Sequence, residues 1–156
     1  MEIYLLRHGA AERTASSGRD ADRRLTGEGA AAITEVVTQA RRAGLNPSLI
    51  LTSPYVRALE TARLTARLLD HEQDILTAAA LTPESTRENL WEELRLYGER
   101  PSILAVTHQP LISDAASWML GTTRAIEFAP GTMVRIDFEN LGLEPRGVLR
   151  RIFTGK

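Results

Sequence analysis

The sequence predicts a three-layer α/β/α domain around a mostly parallel central sheet, with residues 1–156 forming one unit. Two patterns carry this expectation. Short apolar runs at about 2–6, 49–51 and 103–106 have the length and composition of strands buried within a sheet. Polar tips and then segments with apolar positions at helical spacing follow them, so strands and helices alternate along the chain. The length of 156 residues is close to that of one ordinary domain, and no linker, repeat or low-complexity stretch interrupts it.

In order along the chain, a strand at about 2–6 runs into the polar stretch GAAERTASSGRDADRR, which lacks apolar periodicity and reads as a surface loop. LTGEGAAAITEVVTQARRAG reads as a helix. Thr26 is its N-cap, Glu28 sits in its first turn, and Arg41 and Arg42 stand beside Gly44 at its far end. Leu49, Ile50 and Leu51 form a second strand, after which Ser53 and Pro54 supply a capping hydroxyl and a first-turn proline for another helix. Arg57 falls in that helix's first turn. DILTAAALTP gives a short strand and loop, a helix is expected near 84–98, and SILAVTHQP gives a further strand, Ile103 to Val106, followed by a polar tip that holds His108. A helix opens near Pro110 and closes at Gly121; TMVRIDFE and GVLRRIF then alternate like strands.

Composition narrows the function. There are no cysteines, which excludes disulfides, thiolate nucleophiles and cysteine-ligated metals. The net charge of -1 offers no general attraction to nucleic acid, and no apolar run reaches the length of a membrane span. Nothing at the amino terminus resembles a signal peptide, so the expected address is cytoplasmic. Lys156 is the single lysine, so nearly every cation is an arginine and position must distinguish them.

Position does so. Ligands of open α/β sheets gather beyond the carboxyl ends of the strands. There the sequence places Arg7 and His8 after the first strand, Arg57 after the second and His108 after the later one. The adjoining stretch 7–24 holds five arginines against three acids. Arginine forks and a helix amino terminus suit a phosphoryl group, whose charge is spread over three oxygens. Candidate nucleophiles are a histidine, a hydroxyl, a carboxylate or a metal-activated water. Neighbouring cations disfavour a metal, and GxSxG and GxxxxGK[ST] are absent. A neutral imidazole attacks well if its other nitrogen is held by a backbone carbonyl, which makes His8 the nucleophile; Gly9 would let the backbone come close to the ligand. No cofactor motif is present.

LRHG, LTGEG, SPYVRALETA and VTHQP, in this order, resemble the signatures of the histidine phosphatase superfamily, the phosphoglycerate mutase-like fold. The likeness runs from Met1 to about Leu120 and, in length and in the LTPES stretch, is greatest to bacterial SixA-type phosphohistidine phosphatases. It implies that His8 is phosphorylated during turnover and that Arg7, Arg57 and His108 bind phosphoryl oxygens. Arg23 matches a further phosphate-binding arginine, with Arg24 competing for the place. Ester-cleaving members carry a glutamate general acid after the third strand, whereas the SixA type lacks it because an imidazole leaving group asks less of the enzyme. Glu84 stands near that place in a context closer to the acid-free members.

The expected substrate is therefore a phosphohistidine on another protein, such as a phosphotransfer domain or carrier. About twenty residues separate Leu81 from Pro101, too few for a long lid, which predicts an open site. The alternatives are a small-molecule phosphomonoesterase and a non-catalytic phosphate-binding module. His71 reads as a surface side chain, Asp114 as a solvated helix residue, and Trp91 and Trp118 as core.

Overall fold

In a computed structural model, which describes residues 1–155, six strands form one sheet in the order β3-β2-β4-β1-β5-β6. The strands are β1 (Glu2–Arg7), β2 (Leu49–Thr52), β3 (Ile75–Thr77), β4 (Ser102–Thr107), β5 (Met133–Asp137) and β6 (Val148–Phe153). β1, β2, β3 and β4 run parallel, and β5 and β6 add an antiparallel edge. The helices are α1 (Gly27–Arg42), α2 (Val56–Leu68), α3 (Arg87–Arg95) and α4 (Leu111–Met119).

The central strands alternate between two apolar layers. Tyr4 and Leu6 point with Ile50, Leu104 and Val106 toward α1 and α2, where Ile33, Val36, Val37, Ala58 and Ala62 meet them. Ile3 and Leu5 point the other way, with Leu51, Ile103 and Ala105, toward Leu90, Trp91, Leu94, Ile112 and Ala116 of α3 and α4. Cover on both faces explains why these strands are unbroken apolar runs. This is the expected three-layer arrangement.

Local expectations are met at most helix ends. Thr26 caps α1 by accepting from the Gly29 amide at 3.0 Å, and Gly121, at φ 64°, closes the segment after α4. Three details differ. α2 begins at Val56 with Tyr55 in the capping position, and the Ser53 hydroxyl accepts from the Tyr55 amide at 3.2 Å. α3 is shorter than 84–98, opening after the Thr86 cap. Trp118 and His71 are both half-buried: the Arg87 guanidinium covers the Trp118 ring, and the His71 Nε2 is enclosed without a partner. Trp91 is core and Asp114 is exposed, paired with Arg87, as expected.

Gly9 has a packing reason that the sequence reading did not give. A Cβ there would lie 2.7 Å from Leu25 Cδ1 and 2.9 Å from the Gly29 carbonyl oxygen, and a Cβ on Gly29 would collide with the Ala10 backbone. The two glycines let α1 press against the segment leaving β1. They hold the loop in place.

Candidate active site

Strand register assembles the site. β1 and β4 are neighbours with Arg7 opposite Thr107, so the next residues, His8 and His108, emerge side by side with ring centroids 4.9 Å apart. β2 flanks β4 with Thr52 opposite Val106, which brings Ser53 to the same edge. α2 then turns Arg57 back over the strand ends, and Thr61, one turn on, accepts from the Gly9 amide at 3.2 Å. Residues 52 positions apart in sequence are thereby tied by a bond from backbone amide to side-chain hydroxyl.

His8 is 7% exposed. Its Nδ1 lies 2.7 Å from the Gly9 carbonyl oxygen, which can only accept, so Nδ1 carries the proton and Nε2 presents a lone pair. Arg57 Nε donates to that Nε2 at 3.3 Å. Burial pushes the His8 pKa down to about 4; the Gly9 carbonyl opposes this, and the charges of Arg57, Arg7 and Arg23 add to the lowering. The imidazole is neutral at physiological pH. His108 is held lower still, first by burial and then by the charges of His8 and Arg57.

Each cation has a place. Arg57 is 5% exposed and donates through Nη1 to the Asp20 carbonyl oxygen at 2.9 Å and through Nη2 to the Asp20 carboxylate at 3.2 Å. Arg23 reaches the other oxygen of that carboxylate at 2.8 Å and anchors its Nε on the Glu12 carbonyl oxygen. Arg24 turns away to Glu60. Arg7 donates through Nη1 to the Phe128 carbonyl oxygen at 2.7 Å, and burial, then Arg57, lower its pKa. Among the described residues, buried side-chain nitrogens without a partner include Arg7 Nε and His108 Nδ1. Two enclosed nitrogens with hydrogen-bonding capacity to spare thus stand beside the arginine cluster.

The structure thus brings together Arg7, His8, Arg57 and His108, and puts Arg23 rather than Arg24 beside them. Asp20, in a single turn of 3₁₀ helix (Asp20–Asp22), is drawn across Arg57 and Arg23. Hydrogen bonding from Arg23, against a burial effect that Arg57 also outweighs, holds the Asp20 carboxyl below its usual range. Glu84 is exposed at the rim, where its carboxylate accepts from the Tyr55 hydroxyl at 2.8 and 2.9 Å. The Tyr55 ring in turn packs edge-on to His108, with centroids 5.1 Å apart. The sequence reading missed Asp20, Tyr55, Thr61 and the role of Ser53. Only Ser53 left a signal, since it stands just past a strand that adjoins the one ending at His108.

Residues 3–82 match the sequence profile of the Histidine phosphatase superfamily (branch 1). The chain belongs to this superfamily. It is 33% identical over 122 residues to an uncharacterised protein of Picosynechococcus, covering 76% of this chain and 70% of that one. It is 28% identical over 152 residues to the phosphohistidine phosphatase SixA homolog of Haemophilus influenzae, covering 87% of each. The solved structure of the protein histidine phosphatase SixA complexed with tungstate superposes with a TM-score of 0.90 at 19% identity, over 99% of this chain and 97% of that one. The last likeness establishes the fold, and with it the phosphoglycerate mutase-like architecture. Among the described residues no helix is long and apolar enough to cross a membrane.

Proposed function

We propose that this superfamily member removes phosphoryl groups from phosphohistidine on another protein, in the cytoplasm, and does so through a phosphorylated His8. The observation that carries the reading is the state of His8: a neutral imidazole whose Nδ1 is tied to the Gly9 carbonyl and whose Nε2 lone pair faces the arginine cluster. In the first step Nε2 forms a bond to phosphorus as the phosphorus–nitrogen bond of the substrate breaks, and the departing imidazole takes a proton from solvent. In the second, water attacks phosphorus, the bond to Nε2 breaks and inorganic phosphate leaves. Arg7, Arg57, Arg23 and His108 hold the oxygens throughout, offering donors already fixed where charge is concentrated.

Incubating the protein with a phosphohistidine carrier and quenching rapidly should trap acid-labile, base-stable phosphate on His8, and His8→Ala should abolish both label and turnover. Absence of label, with phosphate still bound, would instead make the chain a phosphate-binding module. One observation favours a second reading, hydrolysis of small phosphomonoesters: the Glu84 carboxylate stands at the rim, on Tyr55. If Glu84 is an acid for an alkoxide leaving group, Glu84→Gln should cost about 10²-fold or more on an ester and nothing on phosphohistidine. A Glu84→Gln protein with unchanged rates on both substrates ends that reading.

A further inference from the structure

We propose that Ser53 is a positioning residue that fixes the tautomer of His108, so that an uncharged Nδ1–H is the donor offered to the phosphoryl group. This rests on the phosphoryl-binding role given to His108 above. The inference comes from counting protons around one buried hydroxyl. Ser53 is 0% exposed, and its Oγ lies 2.7 Å from His108 Nε2 and accepts from the Tyr55 amide at 3.2 Å. A serine hydroxyl has one proton to give and two lone pairs. Among the described residues, His108 Nε2 is the acceptor the structure provides for that proton.

The two possible arrangements are unequal. If Nε2 carried the imidazole proton, the Ser53 O–H would be enclosed with nothing to accept it, and the lone pair of His108 Nδ1 would be turned on the incoming anion. If Ser53 donates to Nε2, every group is used: Oγ accepts from Tyr55, Nε2 accepts from Ser53, and Nδ1 keeps the proton. That Nδ1 is buried without a partner, on a ring 4.9 Å from the His8 ring. The choice matters because burial keeps His108 neutral, and a neutral imidazole has a single N–H. Ser53 thereby decides whether His108 meets the phosphoryl group as donor or as acceptor. Tyr55, packed edge-on to the ring, and the main-chain bond from Ser53 N to the Val106 carbonyl oxygen hold the pair in register.

The experiment is long-range ¹H–¹⁵N NMR on protein labelled with ¹⁵N-histidine, with His108 assigned through His108→Gln, recorded with and without inorganic phosphate. In the wild-type protein His108 should be the Nδ1–H tautomer in both conditions. In Ser53→Ala it should shift toward Nε2–H, and inorganic phosphate should bind about tenfold more weakly, the loss of roughly one hydrogen bond to a charged group. An Nε2–H tautomer in the wild type overturns the proposal without need of any variant. An Nδ1–H tautomer that persists in a folded Ser53→Ala protein with unchanged phosphate affinity overturns it as well. Failure to dephosphorylate phosphohistidine, with the tautomer as expected and phosphate bound, counts against the function above and leaves the Ser53 assignment standing.

Discussion

At the amino end of the sheet, Arg135 lies between Glu2 and Asp137, and Asp137 also receives Arg150. At the carboxyl end, Arg23 and Arg57 share the single carboxylate of Asp20, while Arg7 has only a backbone carbonyl. The first cluster is matched. Hydrogen bonds to Asp137 raise the Arg135 pKa despite some burial, and burial of Asp137 is outweighed by Arg135, which keeps the carboxyl low. The second is unmatched, so burial and mutual repulsion lower Arg7, His8 and His108. The same kinds of side chain make a structural clasp where charges cancel and the proposed phosphoryl site where positive charge is left over.

Substitutions that invert this contrast should differ most. Arg57→Ala removes a donor from the unmatched cluster and should lower turnover on phosphohistidine by about 10²- to 10³-fold with little change in melting temperature, measured by steady-state kinetics beside calorimetry. Equal losses at Arg57 and Arg135 would erase the distinction. Gly9→Ala acts on the scaffold of the same end: the new Cβ meets Leu25 and the Gly29 carbonyl, and chemical denaturation should report a loss of about 1–3 kcal/mol.

Acid should weaken the carboxyl end. The unfolded chain protonates His8 near the ordinary imidazole value of 6.5, whereas the folded protein resists until about 4. Between these values the unfolded state binds the extra proton, so stability present above 6.5 falls as pH drops toward 4. The His8 share reaches about 3 kcal/mol at most. Denaturation midpoints at a series of pH values should show this slope, flattened in His8→Gln. Arg135→Ala should produce the smallest effect, about 1 kcal/mol or less in stability and no change in turnover, because the clasp is partly solvated.

Asp20 sharpens the same comparison. Its carboxylate occupies donors of Arg57 and Arg23 that a phosphoryl group would use. Asp20→Asn should tighten inorganic phosphate binding by a few-fold, about 0.5–1 kcal/mol, in calorimetric titration. Weaker binding would mean that Asp20 holds the arginines in a useful pose instead of competing for them.

Much of this site was legible because its residues sit at fixed offsets from strand ends. His8, Arg57 and His108 each follow an apolar run by a few residues, and parallel strands bring such positions to one edge whatever the loop details. Asp20 was not legible. It lies in a polar stretch without periodicity, and what recruits it is the charge of arginines supplied by other segments. Gly9 was legible as a special position but its packing role was not, since the tight neighbours, Leu25 and the Gly29 carbonyl of α1, are sixteen or more residues away.

Local pattern by itself determined the layers of this protein, the order of its strands and helices, and the set of cationic groups beyond the strands, because apolar period and helix-end chemistry are written in adjacent residues. Only the tertiary structure decided which arginine of the pair 23 and 24 faces inward, which carboxylate covers the cluster and which partner each nitrogen of His8 meets. Those outcomes depend on distances of a few ångströms between segments far apart in the chain, and hydrogen bonds and charge pairs respond to such distances where hydrophobic periodicity does not.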